Sequence, residues 1–175
     1  MSGDHDGIRD PATALRVSWA TEDDVDTIST ILREAAAWLR VRGIPLWNDE
    51  ELLPSHLHSE RARGRYCLAH RGGDAVGTAR IQLTDEELWP DAIPGEAIYL
   101  HRIAVRRAAA GTGVPKALLA FVDEMARTHG ASCLRLDCDA SRIRLIEFYT
   151  SLGFRHHSDH QVGTFRVRRF ERTVS

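Results

Sequence analysis

The feature that most constrains this chain is the passage from AIYLHRIAV, Ala97–Val105, through RRAAAGTG into the helix-forming VPKALLAFVDEM that ends at Met125. The first segment is a mostly apolar run, as expected of a buried strand. The last is amphipathic and free of helix breakers after Pro115. Two glycines between a strand and a helix let several backbone N–H groups converge on one point. At a helix start those donors lack internal partners and carry the positive end of the dipole, which makes an anion site. Because the backbone does the binding, few cationic side chains are needed.

The glycines alone admit several readings. A Walker loop requires Gly-Lys-Ser/Thr, but Lys116 is followed by Ala117. A dinucleotide fingerprint requires a third glycine where Lys116 stands, and Gly111 lies six positions after Val105. Asp137 and Asp139 do follow at about the distance of a ribose-binding acid. A plain helix-start loop is also open.

Around this core the pattern alternates. Leu15–Trp19 reads as a strand, and Thr21 as the cap of a helix running to about Arg42. A second helix is expected over Glu51–Arg63. Arg65–His70 and Ala75–Leu83 form a hairpin about Arg71-Gly72-Gly73-Asp74. After a loop over Thr84–Glu96 and the central passage, Cys133–Cys138 is a strand and Ser141–Leu152 a short helix. Two final strands are expected at Phe154–His157 and Val162–Phe170. This order argues for a mixed α/β sheet with helices on both faces.

At 175 residues the chain suits one domain, residues 14–175, preceded by a mobile tail over residues 1–13. A net charge of −2 gives no reason to expect a nucleic-acid or membrane partner. No apolar run approaches a membrane span and no signal region opens the chain, so a cytoplasmic setting is the expectation. Three cysteines, Cys67, Cys133 and Cys138, without a CxxC pair support neither a disulfide framework nor a zinc site. His156, His157 and His160 alternate across a strand, so no metal is expected there.

From Tyr99 to Phe154 the sequence resembles the GCN5-related N-acetyltransferase (GNAT) family. YLHRIAV, AAAGTGVPKALL and RLDCDASRIRLIEFYTSLGF lie in that family's order and spacing, with Gly111-Thr112-Gly113 on the Gly-x-Gly of its Q/R-x-x-G-x-G/A loop. Ala108 replaces the first residue of that motif, Ala110 stands where arginine is common, and Pro115 removes one N–H. The resemblance implies an α/β (α+β) fold: a mixed, mostly antiparallel sheet of about seven strands, about four helices on both faces, and a V-shaped splay between strands 4 and 5.

The same resemblance implies acetyl-CoA as acyl donor, no metal, direct transfer to a primary amine, and a homodimer. Its cofactor contacts fall on Ile103, Ala104, Val105, Ala110, Gly111, Thr112, Gly113, Val114, Lys116, Arg142 and Phe148. Arg106 and Arg107 are further cations near the diphosphate. An N–H near Ile103 would polarise the thioester carbonyl. Tyr149 matches the family's general acid. His101 is the candidate base, with a water chain as rival, and by strand alternation Tyr99, His101 and Ile103 should share a face.

For the acceptor pocket, Trp47, Trp89 and Tyr99 are the candidates, while Trp38 reads as core. Asp85, Glu86 and Glu87 read as a solvated acidic run. Asp139 and Ser141 should cap the short helix. The acceptor is expected to be a small molecule. The competing class is a non-catalytic acyl-CoA-binding module on the same fold.

Overall fold

The computed structural model describes residues 14–60 and 64–174; the expected tail and the end of the second helix lie outside them. Seven strands form one sheet in the order β1-β2-β3-β4-β5-β7-β6: β1 Leu15–Trp19, β2 Arg65–Arg71, β3 Asp74–Gln82, β4 Ala97–Val105, β5 Cys133–Asp139, β6 Arg155–Val162 and β7 Phe165–Thr173. Only β4 and β5 pair in parallel; the other neighbours are antiparallel. Four α-helices cover the faces: α1 Val25–Arg40, α2 Pro54–Glu60, α3 Val114–Thr128 and α4 Ile143–Ser151.

The sheet's two faces carry separate cores. On one, Leu118, Leu119, Val122 and Ala126 of α3 pack on Ala79, Ile81, Ile98, Leu100, Leu134 and Leu136, with Tyr149 of α4 joining them. On the other, Ile28, Ile31, Leu32 and Ala36 of α1 and Leu57 of α2 pack on Tyr66, Leu68 and Ala104. At the start of α1 the Asp24 carboxylate accepts from both the amide (2.7 Å) and the hydroxyl (2.9 Å) of Thr21, which holds the entry turn.

Two expectations need correction. The single helix expected from Glu51 is a 3₁₀ turn, Glu50–Leu52, followed by α2, because Leu53 is held extended (ψ 146°) ahead of Pro54. The last hairpin turns later than expected: Ser158–Gln161 is polar but extended within β6, and the reversal falls at Gly163, whose φ is +57°. β7 then runs on to Thr173.

Candidate active site

The site begins with a break in strand pairing. β4 and β5 match at Ala97–Cys133, Ile98–Leu134 and Tyr99–Arg135, and no further. Beyond Tyr99, β4 carries an extra residue against β3: Thr78 faces Ala104 while Arg80 faces His101. The bulge centres on Arg102, whose φ of +51° is the one left-handed value at a non-glycine among the described residues. It also reverses the alternation. Ile98 and Leu100 before it, and Ile103 and Val105 after it, pack on the α3 core, whereas Ala104 joins the α1 core. His101 and Ile103 therefore do not share a face, and the expected Tyr99–His101–Ile103 row ends at His101.

The splay opens a cavity of about 490 Å³ lined by Leu100, His101, Arg102 and Ile103 on one side and by Asp137, Cys138 and Asp139 on the other. Tyr149 and Leu145 of α4 and Trp47 also line it. Bridging its two sides, the Arg142 guanidinium donates to the carbonyl of Pro45. The expected helix cap is an Asx turn one residue early, with Asp139 accepting from the Ser141 amide (2.8 Å) and hydroxyl (2.6 Å).

At the α3 end, Gly111 and Gly113 adopt φ of +74° and +85°. A Cβ at either would meet nothing within 4 Å, so the loop is open on its outer side. Thr112 is fixed by its hydroxyl donating to Ala109 O (2.6 Å) and by Arg71 donating to Thr112 O (2.9 Å). Val114 anchors the helix start in the core, and the exposed Lys116 stands in the same first turn. Pro115 occupies the first turn, where its missing N–H costs the helix nothing. Open amides, an exposed lysine and unpaired β4 backbone fit a diphosphate with an extended arm. Arg106 contributes less than expected: its Nε donates to Ala75 O (2.8 Å) and its NH1 faces Glu34 (3.4 Å).

The chemical end of the cleft gathers groups the sequence did not bring together. His101 Nε2 lies 3.2 Å from Asp85 Oδ2, close enough to share charge although out of line for a hydrogen bond. Ligand atoms of Asp85, His101 and Asp137 all lie within 4.8 Å of one another. Asp85, read from sequence as solvated, has a side chain only 8% exposed. Burial raises its pKa, but His101, the Leu88 amide and Arg80 outweigh that and hold it below the carboxylate norm. Asp137 goes the other way. Burial pushes its carboxyl up to about 6, aided by Asp85 and Glu87 and opposed by His101. Tyr149 is buried, and desolvation with nearby Cys138 and Asp137 drives its phenol well above the usual range, so it stays protonated.

The remaining candidates divide. Trp47 lines the cavity and lies 6.0 Å from the Arg102 guanidinium. Trp89 does not: it is 3% exposed, packed with Ala97, Tyr99 and Cys133, and clasped by Arg135 (4.8 Å) and Arg169 (4.7 Å). Its loop is pinned there because Arg169 pairs with Asp91 at 2.6 Å. Tyr99 is buried in the same cluster, away from the cavity. Phe148 is 37% exposed beside Tyr149. His156 pairs with Asp159 (3.0 Å).

A parallel strand pair that parts over a glycine-rich helix start with open amides, with an acid and a base candidate in the gap, is the frame of an acyl-group transferase. The chain belongs to the acetyltransferase (GNAT) family, whose model matches residues 29–154. It is 28% identical over 142 residues to the uncharacterized N-acetyltransferase YesJ of Bacillus subtilis, covering 77% of this chain and 78% of that one. Its fold is shared with a GNAT acetyltransferase from Listeria monocytogenes (TM-score 0.74, 24% identity, 95% of this chain and 98% of that). It is also shared with yncA of Salmonella typhimurium, solved with its cofactor acetyl-CoA (TM-score 0.65, 18% identity, 93% and 95%). Among the described residues no helix is long and apolar enough to cross a membrane.

Proposed function

We propose that this protein is an acetyl-CoA-dependent N-acetyltransferase that passes the acetyl group directly to a primary amine of a small-molecule acceptor. The observation that carries this is the meeting of His101 and Tyr149 with unpaired β4 backbone around one cleft, His101 being backed by the buried Asp85. Acetyl-CoA, when bound, supplies the activated acetyl thioester.

The chain's own residues do the rest. Amides at the α3 start, with Lys116, bind the diphosphate, and the free edge of β4 binds the pantetheine arm. An N–H at the bulge, near Ile103, polarises the thioester carbonyl. Nε2 of His101 is buried against Asp85, which leaves Nδ1 as the nitrogen to take the proton of the attacking amine. Asp85 then stabilises the imidazolium. Tyr149 gives its phenolic proton to the departing sulfur.

Calorimetric titration with acetyl-CoA, followed by a thiol-release assay over pooled primary amines, tests the reading. Binding and release are both expected. Tyr149→Phe should lose roughly 100-fold in turnover while keeping acetyl-CoA affinity within about twofold. Binding without release by any amine would instead favour the non-catalytic acyl-CoA-binding module.

A further inference from the structure

The cleft has a basic corner that the transfer chemistry does not use. Tyr66, Arg80 and His101 form a row across β2, β3 and β4, paired Tyr66–Arg80 and Arg80–His101, so their side chains lie on one face. Arg102 joins them from the bulge. Arg80 and Arg102 both line the cleft, yet only 11% and 9% of their side-chain surface is exposed.

One buried carboxylate serves both guanidinium groups. Glu60 accepts from Arg102 NH2 (3.0 Å) and from the Tyr66 hydroxyl (3.2 Å), and approaches Arg80 NH1 at 2.9 Å without aligning with its N–H. Glu51, the next acid to Arg102, is 43% exposed and 3.6 Å from it, and Asp85 acts on Arg80 through its charge without a hydrogen bond. Arg80 Nε, Arg80 NH1 and Arg102 NH1 thus have no hydrogen-bond acceptor among the described residues. Buried cationic donors left open are expensive, and a planar guanidinium is matched by a carboxylate. The diphosphate does not reach them, since the Gly111–Gly113 loop lies outside this cavity's lining.

Beside this corner stands its opposite in charge: Asp85 and Asp137, grouped with His101. We infer that the acceptor carries a carboxylate close to the amine that is acetylated, an amino-acid-like zwitterion, with Arg80 and Arg102 holding the carboxylate while the amine meets His101 and Asp137, the two groups on the acidic side that line the cleft. This rests on the transfer reading above and adds the class of acceptor.

The test pairs each free α-amino acid with its carboxamide and with a plain alkylamine, at saturating acetyl-CoA, scored by thiol release. The free acid should exceed its carboxamide by at least ~10-fold in kcat/KM. Arg80→Met should bring that ratio toward one, and Arg80→Lys should retain part of it. Calorimetry on the coenzyme A-bound protein should show the acid binding and the carboxamide binding at least ~10-fold more weakly. Equal or better use of carboxamides and alkylamines, or a ratio unmoved by Arg80→Met, overturns the inference and leaves the transfer reading intact. Failure to bind acetyl-CoA or to acetylate any amine overturns both.

Discussion

Replacing Asp137 by asparagine should make the protein more stable, and only at the pH values where the carboxyl is asked to ionise. Its folded pKa of about 6 stands above the ordinary value of 3.8. Below about pH 3.8 both folded and unfolded chains hold the proton and the carboxyl is neutral in its effect. Between about 4 and 6 the unfolded chain releases the proton first, so stability falls as pH rises; above 6 the loss is constant. The difference between 3.8 and about 6 corresponds to roughly 3 kcal/mol as a ceiling, and the part of Asp137 that faces the cleft reduces it to about 2 kcal/mol. Asparagine keeps the shape and cannot ionise. Urea unfolding of both proteins from pH 3.5 to 8 should show coincident midpoints at the acid end. At pH 8 the variant should gain about 2 kcal/mol, or roughly 4–8 °C in Tm. A gain independent of pH, or a loss at pH 8, would mean that the carboxylate is well solvated or paired, and the electrostatic reasoning would fail.

Other perturbations probe the frame and the chemistry. Gly77→Ala places a Cβ 2.6 Å from Val114 Cγ1 and 3.0 Å from Ala104 O, where α3 meets the sheet; a loss of about 1–3 kcal/mol in urea unfolding is expected. Gly113→Ala has space but φ of +85°, so about 1–2 kcal/mol of strain should appear in unfolding together with a weaker coenzyme A Kd by calorimetry. His101→Gln should lower kcat/KM by roughly 100-fold with coenzyme A affinity unchanged; retention of rate would hand the base role to water.

The architecture was legible where local chemistry agrees with the fold. Strands of alternating or apolar pattern, the Gly111–Pro115 helix start and the Phe148–Phe154 helix end all lie where their residues demand. What escaped the sequence depends on one inserted residue or on distant pairing. Arg102 bears no mark of a bulge, because its left-handed φ is imposed by β3 and not by its own preference. Asp85 looks like any loop acid until the loop is pinned down over His101. Arg80, Arg102 and Glu60 meet from separate elements, and nothing in their spacing announces it. Trp89 misled for the complementary reason: an aromatic in a loop suggested a pocket, while two arginines from β5 and β7 had claimed its ring.

That clasp has a reach beyond its own corner. Asp85 and Trp89 belong to a single turn, closed by the Trp89 amide on Asp85 O (2.8 Å). The angle at which a carboxylate meets the imidazole is therefore tethered to side chains on the sheet's later strands. Loss of Arg169 would therefore be expected to move Asp85 relative to His101 as well as to free the Trp89 loop, linking a later strand of the sheet to the wall of the cleft.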